Sequence, residues 1–219
     1  PGPRTAVAIS SNGRVLAALC ADKLRVWKAG PSWAEASAVP MYPGYPSEET
    51  WDRLALADSG EMLALGRFSE ILSTLRVISL AGGPQIEFPF VTPPVRAMTF
   101  LPSNLGGTSL AFGDESGKVQ VWSQALTGQK GEVRTVFKHS AAVTVLSTDA
   151  VEADLIAGYR DGVARVWDLD QDREVARLVG RGAFLSVGLS TMTRQAWVVG
   201  QAQSLQAWDL GRLEDAIPL

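Results

Sequence analysis

The sequence predicts an all-β fold built from repeated four-stranded antiparallel sheets, and three observations carry that prediction. A register of anchor residues, Trp27, Ile78, Trp122, Trp167 and Trp208, takes in four of the seven tryptophans of the 219-residue chain. It recurs about every 45 residues, the period of a four-stranded blade. Glycines (21) and prolines (12) are spread along the whole length with β-branched residues between them, which reads as short strands joined by turns. Finally, each period holds the same succession of segments.

The first segment of each period is a short apolar strand: TAVAIS (5–10), RLALA (53–57), VRAMTF (95–100), AVTVLS (142–147) and FLSVGL (184–189). The first two run into SNG and DSG, which is turn chemistry. The second and third segments align without gaps in four copies: VLAALCADKLRVW (15–27), LAFGDESGKVQVW (110–122), LIAGYRDGVARVW (155–167) and AWVVGQAQSLQAW (196–208). The remaining copy, EMLALGRFSEILSTLRVIS (61–79), is longer at its turn and carries Ile78 at the anchor. The fourth segments are weaker: AEASAVPM, PQIEFPF, VRTVFKH, EVARLVG and EDAIPL, with Pro40, Pro84, Pro89 and Pro218 in or beside them. Proline cannot donate to a sheet ladder and belongs on an edge strand. The apolar strand is therefore expected innermost and the proline-tolerant one outermost. The blades run approximately over 1–41, 42–91, 92–139, 140–181 and 182–219.

Composition narrows the function. Net charge is −3, with 20 basic and 23 acidic residues intermixed, so the basic stripe of a nucleic-acid binder is missing and no direct nucleic-acid partner is expected. No apolar run approaches the roughly 18 residues of a membrane span. A single cysteine, Cys20, rules out an internal disulfide and favours a reducing setting, the cytoplasm or the nucleus. Cys20 lies in an apolar strand and reads as a buried thiol, with no histidine in its blade to activate it. The chain begins PGPRTAV without methionine, as a piece of something longer or a processed product does. No phosphate-binding loop, metal-ligand spacing or nucleophile elbow is present, and no cofactor or metal is expected.

The repeat resembles the WD-repeat β-propeller family. Val166-Trp167-Asp168 and Ala207-Trp208-Asp209 match its signature dipeptide, Asp161-Gly162 its turn aspartate, and His139 the histidine before the inner strand. The resemblance spans the chain and implies a β-propeller. Five blades are visible; the family's rings more often hold seven, so a segment of a larger ring is expected ahead of a closed five-blade ring. An open arc would expose apolar sheet faces that demand a partner. The family also implies a buried network of His, Ser/Thr, Asp and Trp within each blade. Only His139, Asp161 and Trp167 in the fourth blade approach it, with Ala157 at the Ser/Thr position. The other turns carry Ala21, Ser116 and Ala202, so packing rather than this network is expected to hold most blades. A β-sandwich with coincidental tryptophans is the competing fold.

Propeller connectivity places the starts of inner strands and the second-to-third-strand turns on one face. Trp51, Tyr159 and Phe184 fall there, as do Arg53, Arg96, Arg160 and Arg181. Aromatic and arginine residues are what an interaction hot spot uses. The contact face is therefore assigned to Trp51, Arg96, Tyr159, Arg160 and Phe184, and YPGYPSEETW (42–51) is a loop that could touch a partner. The expected function is a non-catalytic protein–protein scaffold bound to subunits of a larger assembly. A regulatory propeller within a multidomain signalling protein is the alternative. An enzyme propeller of sialidase, lactonase or quinoprotein type is disfavoured, because the chain has one histidine and no aspartate box. A ubiquitin-ligase adaptor is disfavoured because the third strands end WDLD and WDLG rather than Trp-Asp-x-Arg.

Overall fold

In the computed structural model, the described residues are 5–10, 12–20, 23–30, 34–39, 51–68, 73–82, 85–91, 93–102, 109–123, 131–149, 153–190, 192–201 and 205–210. The chain is all-β. Sheet one is β1 (Thr5–Ile9), β2 (Val15–Cys20), β3 (Lys23–Lys28) and β4 (Ala34–Val39), in that order. Sheet two is β5 (Arg53–Leu56), β6 (Met62–Phe68), β7 (Ser73–Ser79) and β8 (Gln85–Val91). Sheet three follows with β9 (Val95–Phe100), β10 (Leu110–Asp114), β11 (Lys118–Trp122) and β12 (Val133–Lys138). Sheet four holds β13 (Val143–Thr148), β14 (Asp154–Tyr159), β15 (Val163–Asp168) and β16 (Arg173–Val179). Sheet five, among the described residues, holds β17 (Phe184–Ser190), β18 (Gln195–Gly200) and β19 (Leu205–Asp209). Each is an antiparallel meander with the strand order read from the sequence. The expected fifth outer segment, EDAIPL, lies outside the described residues, as do Pro40, Pro84, Pro218, Ala21, Ala202 and the loop residues 42–50.

Every anchor pairs across the second strand, at one shared offset in sheets three, four and five, one residue shorter in sheet one and longer in sheet two. Trp27 pairs across the second strand with Leu16, Ile78 with Leu63, Trp122 with Leu110, Trp167 with Leu155 and Trp208 with Ala196. Pro89 sits in edge strand β8, where the register shifts opposite Ser73 and Leu75. A bulge on an edge strand is where a missing N–H costs the ladder least.

The chain packs as two compact units, Pro1–Pro94 with Ala125–Gly131, and Val95–Gln124 with Glu132–Leu219. The first holds sheets one and two around Ala17, Leu19, Leu24, Leu63 and Leu65. The second has two clusters. Sheets three and four meet through Ala111, Val121, Phe137, Leu155 and Tyr159. Sheets four and five meet through Ile156, Leu178, Phe184, Val187 and Val198. Full burial of each of the larger side chains among them, Val, Leu, Ile or Phe, contributes about 1.5–3 kcal/mol.

Turns and inter-sheet links are tied together in a repeated way. The Gly117 carbonyl of the β10–β11 turn accepts the His139 N–H (2.9 Å), and the Gly162 carbonyl of the β14–β15 turn accepts the Gly180 N–H (2.8 Å). Each link also opens with a second bond of one kind: Arg160 N–H donates to Ala142 O (2.9 Å) and Gln201 N–H to Ala183 O (3.0 Å). These bonds fix the turns that carry the candidate site.

Candidate functional site

The β10–β11 turn is wound by Asp114. Its Oδ1 accepts the Ser116 N–H and Oγ–H (both 2.8 Å) and the Lys118 N–H (3.0 Å). Such local side-chain bonds are why aspartate favours turns over strand interiors. With Asp114 drawn inward, Glu115 projects from the turn. Its carboxylate receives Arg96 Nε–H from inner strand β9 (2.5 Å) and Arg160 Nη2–H from the turn after β14 (2.8 Å). Burial alone would raise the Glu115 carboxyl; the two guanidinium groups outweigh it and hold the group below the ordinary carboxylate value. The three side chains remain partly open to solvent, and Arg181 is exposed in the link that packs on the same Gly162 turn.

Beside this lies the histidine. His139 Nε2 donates to Asp161 Oδ2 (2.7 Å), and Asp161 Oδ1 accepts the Val163 N–H (3.2 Å). Burial pushes Asp161 up, but the bonds from His139 and Val163 prevail and lower it. The expected network stops there. The Trp167 N–H turns to Asp172 Oδ1 (3.4 Å) rather than toward the histidine. Ala157, fully buried at the Ser/Thr position, has no hydroxyl to relay the bond. Trp167 instead stacks on Phe137, with ring centroids 5.0 Å apart. Arg165 covers both rings, donates to Lys138 O (2.9 Å) and pairs with Glu174.

Arg96 and Arg160 converge on Glu115. The expectation of exposed aromatics is corrected: Trp51 is 8% exposed, Phe184 2% and Tyr159 0%. Trp51 lies under the Arg76 guanidinium, 5.1 Å from its ring, and Arg76 pairs with Glu87. Tyr159 and Phe184 flank register irregularities, at Val143/Val145 and Phe184/Ser186. A bulge breaks the alternation of faces, and burial of a large ring decides the outcome. Glu115 was not singled out by the sequence; a carboxylate in the second-to-third-strand turn, with an arginine (Arg160) at the aligned turn position of the next repeat, is the signal that could have found it.

Tyr159 supplies a test. Its ring lies 4.5 Å from that of His139, and its buried hydroxyl faces the Arg165 guanidinium without a well-aligned hydrogen bond among the described residues. Burial raises the phenol above its usual 10.0, and the nearby Arg165 and Glu174 charges pull in opposite directions. Because the folded value is raised, the unfolded chain gives up this proton first. Stability is complete below pH 10 and falls as pH rises beyond it. Tyr159→Phe is expected to be neutral, or stabilising by about 1 kcal/mol, and to flatten that alkaline decline in urea titrations from pH 8 to 11. A loss above about 2 kcal/mol at pH 7 would show a satisfied hydroxyl.

No family model matches the sequence, and no curated protein matches it significantly. Solved structures do: 1406 chains resemble it, so the likeness singles out no one activity. One is described as "Structure of U3-55K", with TM-score 0.74 and 17% identity over 96% of this chain. The fold is that of a β-propeller. This chain spans 62% of the length of that structure, and at this identity the likeness carries the fold alone. Among the described residues no helix is long and apolar enough to cross a membrane.

Proposed function

We propose that this WD-repeat-like chain is a non-catalytic protein-interaction scaffold in a larger assembly, with a contact face centred on Arg96, Glu115 and Arg160. The observation that supports it is the convergence of two guanidinium groups, from neighbouring sheets, on one partly exposed carboxylate. Arginine is enriched at interfaces because its planar fork binds carboxylates in fixed geometry. A partner carboxylate can join such a cluster without having to create it. The single histidine is engaged with Asp161, which favours a structural over a catalytic use. The lone cysteine supports an intracellular setting, cytoplasmic or nuclear.

The test is size-exclusion chromatography of the protein in native extract, wild type beside Arg96→Gln/Arg160→Gln. Both positions are partly exposed, so losing the two ion pairs should cost about 1 kcal/mol each or less, and urea curves of the purified variant check that it is folded. The wild type is expected in a high-mass complex and the variant outside it. A wild type that elutes as a lone monomer overturns the reading.

A further inference from the structure

Basic and acidic side chains are sorted to opposite ends of the unit that holds sheets three, four and five. The end with the β10–β11 and β14–β15 turns carries Arg96, Lys118, Lys138, Arg160 and Arg181. At the other end Asp154 stands opposite Asp168, and Asp170 and Asp172 follow in the β15–β16 turn. A unit polarised in this way attracts and orients a charged chain before contact.

The carboxylates of the basic end are already engaged by the fold. Asp114 Oδ1 accepts the Ser116 and Lys118 N–H groups, Glu115 holds Arg96 and Arg160, and Asp161 holds His139 and the Val163 N–H. Among the described residues, no carboxylate lies within ion-pair distance of Lys118, Lys138 or Arg181. Lys118 and Lys138 are direct partners across β11 and β12, and like charges placed opposite one another destabilise a sheet. Arg181 is exposed between two glycines. A Cβ on Gly162 would be 2.9 Å from Gly182 O and 3.0 Å from Gly180 O, so the Arg181 link is held against the turn that carries Arg160. The two basic places are steps on one surface. His139 follows Lys138 and bonds to Asp161, which follows Arg160.

We propose that this end of the unit docks an acidic segment of a partner protein, its aspartate or glutamate side chains meeting Lys118 and Lys138 at one end and Arg160 and Arg181 at the other. The inference rests on the scaffold reading and gives the chemistry of its contact. Carboxylates relieve the Lys118–Lys138 repulsion and suit the planar fork of arginine. Arg160 is 59% exposed and spends Nη2 on Glu115 (2.8 Å), which leaves further donors on its guanidinium for an incoming acid. A nucleic-acid strand is the poorer fit, because Glu115 and Asp161 lie on the same surface and repel its phosphates.

The experiment is fluorescence anisotropy of the purified 219-residue chain with a labelled peptide alternating glutamate and serine. Controls are the glutamine–serine peptide and a single-stranded oligonucleotide of equal charge. Lys138→Gln/Arg181→Gln is compared with Arg14→Gln/Lys28→Gln, which removes the same charge from the other compact unit. All four positions are exposed, and urea curves check that each variant is folded. The acidic peptide is expected to bind more tightly than either control, and less tightly as salt rises through physiological strength. Lys138→Gln/Arg181→Gln should bind it at least about fivefold more weakly, as the loss of two exposed ion pairs allows. Arg14→Gln/Lys28→Gln should stay within about twofold of wild type. The proposal is overturned by equal binding of the acidic and neutral peptides, by tighter binding of the oligonucleotide, or by equal losses in the two variants. If the acidic peptide fails while the chain still elutes in a high-mass complex from extract, this proposal falls and the scaffold reading stands. A lone monomer in extract that still binds the peptide supports the basic surface and overturns the scaffold.

Discussion

Gly117→Ala should cost about 3–4 kcal/mol, more than a methyl added at any other described turn glycine. Two effects combine. Gly117 has φ +82°, and a left-handed conformation costs a residue with a Cβ about 1–2 kcal/mol. The added carbon would also stand 2.1 Å from the His139 carbonyl oxygen and 2.4 Å from that of Ala141. Those atoms are backbone, and the His139 N–H is bonded to the Gly117 carbonyl (2.9 Å). Relief therefore means moving the link between sheets three and four, and overpacking of this kind costs about 1–3 kcal/mol. Gly13→Ala separates the two effects. Gly13 has φ +67° with nothing within 4 Å of the added carbon, so only the conformational cost of about 1–2 kcal/mol remains. Urea denaturation followed by tryptophan fluorescence reads both variants. Equal losses would show that the link yields and that the close approach is not a constraint.

That tie between turn and link also explains what could be read from the sequence. The strands were legible because their signal repeats: in three copies the anchor pairs at the same offset, Trp122 with Leu110, Trp167 with Leu155 and Trp208 with Ala196. Pro89 marked an edge strand for a reason that holds in any sheet. Side-chain facing was harder. Connectivity placed Tyr159 and Phe184 at strand ends on one face, which does not say whether a ring points to solvent, and both sit beside register shifts where alternation gives no guide. The histidine network failed differently. Its residues are in place, but without a hydroxyl at Ala157 the Trp167 N–H has a better acceptor in Asp172. The Arg96–Glu115–Arg160 cluster joins residues from two repeats, and no single repeat displays it.

Phe184→Ala tests the corrected facing directly, with an expected loss of about 3–5 kcal/mol. The ring is held by two glycines. A Cβ on Gly180 would be 2.8 Å from Phe184 Cε1 and Cζ, and one on Gly158 would be 3.1 Å from Phe184 Cβ. The backbone has thus given up two side chains around this ring. Truncation leaves a cavity that glycine neighbours cannot fill, and the cost of such a cavity grows with its volume. Leu178, Val187 and Leu189 share the cluster, so the loss should reach both sheets it joins. Phe184→Leu keeps most of the volume and should recover most of the stability. The two placements of Phe184 give opposite results. A surface contact would leave the urea midpoint within about 0.5 kcal/mol of wild type and weaken partner binding. A core ring lowers the midpoint whether or not a partner is present. An unchanged midpoint in purified protein would return Phe184 to the surface and reopen the contact face there.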